Sequence, residues 1–179
     1  MNMQPGYEWL LKEQGPVMLK EAIALYGVKE VPGPGNSPIV MGWAKETNTT
    51  YPGDDVAWCG LFMSVCAKRA GWDYFPNKNA LWAKNWAVWG QSVPIERAML
   101  GDVLVFTRDG GGHVGLYVGE DDTHFHVLGG NQSDGVNIMR IEKARCIAVR
   151  SAKWKIAQPA NVRRVLLSAK GAPISTNEA

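Results

Sequence analysis

The hydrophobic pattern of this 179-residue chain changes period once, near Pro94, and that change limits the folds open to it. Ahead of it, Val17, Leu19, Ala22, Ile23 and Tyr26 recur at helical spacing between Pro16 and Gly27, the terminal residues that helices prefer at their starts and stops. Ser37 and Pro38 have the chemistry of a cap and first position for a second helix, running to about Thr47. A third helix opens close to Cys59 and stops at Gly71, with Leu61, Val65 and Lys68 on one side and Phe62, Cys66 and Ala70 on another. A further Trp-rich helix is expected over 80–89. Beyond Pro94 the texture becomes short apolar runs between turn residues, at 102–107, 113–119, 125–128, 136–139 and 146–149, which read as strands of an antiparallel sheet. Helices first and strands second predict an α+β domain, N-terminal helices packed on one face of a C-terminal antiparallel β-sheet.

Between these elements, residues 31–38 hold three prolines and two glycines and form a shaped loop. Asp54 and Asp55 stand where capping of the third helix would use them. One domain is expected over 1–155. From Gln158 the chain becomes polar; a short basic helix over 161–170 and a mobile end are expected within the tail 156–179.

Composition narrows the function classes. The length supports a hydrophobic core without disulfides or structural metal, and no apolar run is long enough to span a bilayer. Net charge is only +2 with the basic residues scattered, so nucleic acid is not an expected partner. The first residues lack the basic and apolar regions of a secretory signal, so synthesis in the cytoplasm without a signal peptide is expected. Cys59, Cys66 and Cys146 have no CxxC spacing and suggest neither a disulfide framework nor zinc. His113, His124 and His126 come without a fitting carboxylate cluster, and no metal or other cofactor is expected. The eight tryptophans are read first as core packing.

Cysteine attacks as thiolate, and a helix N-terminus favours negative charge, so Cys59 is the candidate nucleophile. Cys66, within the helix, and Cys146, within a strand, are simpler as small buried hydrophobes. A thiol nucleophile needs a base of suitable pKa within reach. His113 opens a strand after Gly110-Gly111-Gly112, whereas His124 and His126 alternate along the next strand and face the same way.

Three segments in order carry a resemblance: Trp58-Cys59-Gly60-Leu61-Phe62 at a helix start, Gly101-Asp102-Val103-Leu104-Val105-Phe106, and Gly112-His113-Val114-Gly115-Leu116-Tyr117-Val118-Gly119. Together they resemble the NlpC-type and CHAP superfamily of cell-wall cysteine peptidases and amidases, whose domain is papain-like. Val127-Leu128-Gly129-Gly130-Asn131-Gln132-Ser133 and Lys29-Glu30-Val31-Pro32-Gly33 resemble its phage and prophage, endolysin-like branch.

The resemblance implies a thiolate acyl-enzyme mechanism on an amide of the cell-wall stem peptide, for phage lysis or wall penetration. Cys59 would attack, His113 would take and return the proton, and a third polar residue would orient the ring. Asn131 matches that position best and His126 is the alternative; the carboxylate common in CHAP proteins would fall on Gly129, so an amide or imidazole must serve. The oxyanion would be held by the Cys59 backbone N–H, helped by the Trp58 indole or the Tyr51 hydroxyl. Trp58 is equally a groove wall or a packing residue. The implied partners are peptidoglycan and phage structural or lysis proteins, with delivery to the wall by a holin, a virion or a secretion system.

Overall fold

The computed structural model describes residues 2–154 and 157–174. Three α-helices, α1 (Val17–Ala24), α2 (Pro38–Glu46) and α3 (Cys59–Arg69), come first. Six strands follow: β1 (Gln91–Val93), β2 (Val103–Arg108), β3 (Gly111–Glu120), β4 (His124–Gly129), β5 (Asn137–Glu142) and β6 (Cys146–Ser151). They form one antiparallel sheet in the order β1-β6-β2-β3-β4-β5. The expected α+β architecture is the observed one, helices from the N-terminal half lying on a C-terminal sheet.

The two apolar sides of α3 have a direct structural meaning. Every residue from Cys59 to Ala67 is buried, because α1 and α2 pack on one side of the helix and β3 and β4 on the other. A helix apolar all round is an interior helix. Trp43 and Phe62 meet at 6.0 Å between ring centroids, and Trp43 and Trp58 at 5.8 Å, tying α2 to the start of α3. Trp43, Trp58, Trp86 and Trp89 are core residues and Trp9 and Trp72 pack partly buried against them, but Trp82 is 67% exposed.

Several elements differ from the sequence expectation. The Trp-rich helix is two short 3-10 helices, Asn77–Leu81 and Ala83–Val88, broken at Trp82, whose backbone is extended. The three-residue strand β1 is too short to show a period. Asp54 caps no helix; its Oδ2 accepts the backbone N–H groups of Val31 (3.1 Å) and Ser37 (2.6 Å), and so shapes the 31–38 loop. No helix forms over 161–170. Val165 and Leu167 are buried while Leu166 between them is not, a period of two. Leu166 bridges to Glu120, Leu167 bridges to Pro173, and Arg164 pairs with the buried Glu120. Residues 164–167 are therefore laid against the end of β3, while Asn161 and Arg163 bond to Glu13, Asn161 also to Gly15, and Gly171 sits on Tyr7 and Trp9 of the N-terminal segment; residues 175–179 of the expected mobile end lie outside the described residues.

Candidate active site

Cys59 is the first residue of α3, and Trp58 ahead of it makes no side-chain cap bond, so the first N–H groups of the helix remain for other acceptors. Next to it, Gly60 is required by a crossing segment. A Cβ there would stand 2.2 Å from the Ala80 carbonyl oxygen, so the 3-10 helix Asn77–Leu81 presses directly on the helix start. The thiol is only 2% exposed. Burial pushes its pKa up, while the Val114 and Gly60 backbone N–H groups, its own N–H and the Arg108 guanidinium pull the other way. The sulfur thus sits within reach of the backbone of β3 one residue beyond His113.

His113 is 6% exposed and pairs across the sheet with Phe106, whose ring stacks on it at 30°. Its Nε2 lies 2.9 Å from Gln132 Oε1. The orientation of that amide follows from its other bonds. Gln132 Nε2 donates to the carbonyl oxygens of Asn137 (2.7 Å) and Val127 (3.2 Å), so Oε1 is the atom left for the histidine. An amide oxygen only accepts, hence His113 Nε2 must carry a proton. In the neutral ring the lone pair is then on Nδ1, and Nδ1 is the basic atom. Burial, with the charges of Arg108 and Arg145 behind it, lowers the His113 pKa to about 4, against the raising effect of the Gln132 bond. Burial thus favours the uncharged form of each partner, the thiol of Cys59 and the neutral ring of His113.

The third-residue expectation is corrected by one position. Asn131 adopts φ +54° in the turn after β4 and lines the cleft beside His113, but Gln132 is the residue bonded to the ring. The left-handed turn at Asn131 carries the following side chain back under β4. His126 is elsewhere: fully buried, its Nδ1 2.6 Å from Tyr7 Oη and its Nε2 2.9 Å from Asp121 Oδ2.

Neither proposed helper is free. The Trp58 indole is fully buried and donates to Glu30 Oε2 at 2.9 Å, so it forms neither a groove wall nor an oxyanion donor. The Tyr51 hydroxyl donates to the Val56 carbonyl oxygen at 2.6 Å and is likewise engaged. Cys66 is fully buried with its pKa pushed up, and burial raises that of Cys146 to about 11. Both have the character of inert interior thiols. Among the described residues no cluster of three or more metal-ligating side chains occurs.

Cys59 opens onto a cleft of about 390 Å³ walled by Leu81, Trp82, Lys84, Arg108 and the glycines of the β2–β3 turn. His113 opens onto a second, of about 250 Å³, with Asn131, Gln132, Arg108 and Arg145 on its walls. Arg108 belongs to both. The sequence reading missed Gln132, Trp82, Lys84 and Arg108. Gln132 stood inside a quoted motif; the other three come to Cys59 only through tertiary packing.

No protein-family model matches the chain, and no curated protein matches it. Among solved structures it is similar to the P60 domain of an antigen from M. avium paratuberculosis, with a TM-score of 0.47 and 17% identity, over 82% of this chain and 96% of that one.

Proposed function

We propose that the chain is a cysteine hydrolase cutting an amide of the bacterial cell-wall stem peptide through an acyl-enzyme. The observation that carries this reading is the His113–Gln132 bond, which leaves Nδ1 as the only basic ring atom, on a strand whose next residue reaches the Cys59 sulfur. The Cys59 thiol passes its proton to His113 Nδ1 as the sulfur attacks the carbonyl carbon. The imidazolium then returns that proton to the leaving nitrogen, and water releases the acyl group by the same base. Gln132 is a positioning residue in this scheme, and the Cys59 backbone N–H at the head of α3 is the donor for the oxyanion.

The substrate class rests on the sequence motifs around Cys59, Gly101 and His113, and use in phage lysis or wall penetration on the resemblance of segments 127–133 and 29–33 to the phage and prophage branch. Delivery to the wall would then be by a holin, a virion or a secretion system. The test is mass spectrometry of muropeptides released from purified sacculi by wild type and by Cys59→Ala. New peptide termini or free stem peptides from wild type alone support the reading. Identical digests would end it.

A further inference from the structure

Glu30 belongs to the 29–33 segment, and no step of the proposed reaction uses it. Its Oε2 accepts the Trp58 indole N–H at 2.9 Å, and Trp58 is the residue directly before Cys59. Its backbone N–H donates to the Asp134 carbonyl oxygen at 3.0 Å, and Lys29 pairs with Gly135. Val136 donates to the Val28 carbonyl oxygen at 2.8 Å and accepts the Gly27 N–H at 2.9 Å. Residues 27–30 therefore run along 134–136, the far side of the turn that presents Gln132 to His113. The next residue, Val31, donates to Asp54 Oδ2 in the segment that leads into α3. The turn also bears on the helix directly. A Cβ on Gly130 would stand 2.6 Å from Phe62 Cβ and 2.7 Å from Trp58 Cζ3. Trp58 is thus gripped twice, its ring by the turn and its N–H by Glu30.

Satisfying a buried donor is not reason enough for that bond, because Trp86 is fully buried and its indole N–H has no partner among the described residues. The acceptor is also a demanding one. Burial raises the Glu30 pKa, the Trp58 bond lowers it, and the facing carboxylates of Asp134 and Asp54 raise it again. A carboxyl set beside two others is an arrangement that packing alone does not favour. We propose that Glu30 is a positioning residue of the Cys59–His113 pair: through the Trp58 indole it holds the start of α3, and with it the Cys59 sulfur, against the turn that carries Gln132. This rests on the hydrolase reading of the site. A misplacement of about 1 Å between reacting groups slows a reaction steeply, so a side chain that touches neither of them sets the rate by fixing their supports.

The Val114 backbone N–H, which meets the Cys59 sulfur across the gap between α3 and β3, reports on that placement without any substrate. The experiment follows amide and indole hydrogen exchange by NMR in the full chain, alongside muropeptide release from purified sacculi. Glu30→Met removes the acceptor and keeps the length; Glu30→Gln keeps an acceptor. In Glu30→Met the Trp58 indole N–H and the Val114 amide should each exchange about tenfold faster while amides in the middle of β4 and β5 stay as in wild type, a local opening and not a loss of global stability. Muropeptide release should fall about tenfold, and Glu30→Gln should hold both readouts within about threefold of wild type. Glu30→Ala gives the same comparison should Glu30→Met not fold. A Val114 amide unmoved in Glu30→Met, or Glu30→Gln as impaired as Glu30→Met, would overturn the proposal. Undiminished, Cys59-dependent release by Glu30→Met would remove the role of Glu30 and leave the hydrolase. If wild type cuts no sacculus, the hydrolase reading fails, and faster Val114 exchange in Glu30→Met alone still supports Glu30 as the support of the Cys59 end of α3.

Discussion

His113 Nε2 and Gln132 Oε1 stand 2.9 Å apart, and because two backbone carbonyls hold the Gln132 amide nitrogen, the proton on that bond belongs to histidine. Gln132→Ala should free the ring to change tautomer and lower kcat by about 10–100-fold, a part of what a positioned base supplies. Gln132→Glu keeps the acceptor and adds a charge that favours the imidazolium, so the acid limb of the rate profile should move up toward neutrality. Asn131→Gly, which keeps the left-handed turn, should stay within about twofold of wild type. Steady-state kinetics across pH separate the three; equal losses from Asn131→Gly and Gln132→Ala would contradict the assignment.

The acid behaviour of the protein follows from the buried imidazole. His113 acts as a base only when neutral, and with its pKa lowered to about 4 it stays neutral through mild acid. The acid limb of kcat/KM is expected near pH 4 rather than at about 6.5, the ordinary histidine value. Stability follows the same sign. The folded pKa lies below the unfolded one, so the contribution is intact above about pH 6.5 and is lost as pH falls toward 4, amounting to about 3 kcal/mol. Urea unfolding at pH 7 and pH 4.5 should show a smaller acid loss for His113→Gln than for wild type. His126, also lowered by burial, is present in both and cancels in that comparison.

Gly60 tests whether the segment crossing the helix start shapes the nucleophile. In Gly60→Ala the new methyl would meet the Ala80 carbonyl, a backbone atom that cannot rotate away. Overpacking of this kind costs about 1–3 kcal/mol. The shift would also move Leu81 and Trp82, two walls of the cleft beside Cys59. A fall in urea midpoint together with a fall in kcat/KM is expected; lost stability with unchanged kinetics would detach that segment from the site.

How far the sequence reached depends on the range of each signal. The period of α3 and of the strands after Pro94 is local, and both kinds of element appear close to their expected bounds. The Trp82 break is also local, but Ala80 to Trp89 carries enough apolar residues to imitate a helix. Gln132 was hidden for a different reason. Asn131 and Gln132 are both amides next to each other, and it is the turn, with Asn131 at φ +54° and Gln132 tied to Val127 and Asn137, that brings Gln132 to His113. Trp58 looked available because it adjoins Cys59; its engagement with Glu30, 28 residues away, has no signature in the local pattern.

Arg163, Arg164 and Lys170 around Val165-Leu166-Leu167 suit the expected basic helix over 161–170, and the burial of the segment shows what it does instead. Leu167 is fully buried and fills the space over Gly119, where a Cβ would come within 2.3 Å of its Cδ1. Its backbone N–H donates to the Glu120 carbonyl at 2.8 Å, and Glu120 itself is buried against Arg164 and Lys143. Leu167→Ala should therefore cost about 2–5 kcal/mol, seen as a melting-temperature drop on the order of 10 °C. Leu166→Ala, one residue away on the more exposed side, should change stability by about 0.5 kcal/mol or less. If the two substitutions cost the same, the segment is not docked by alternation and its strand-like register on β3 is wrong. If only Leu167 matters, the segment is part of the sheet's cover, and removing residues 157–174 would uncover Glu120 and the end of β3, the strand that carries His113.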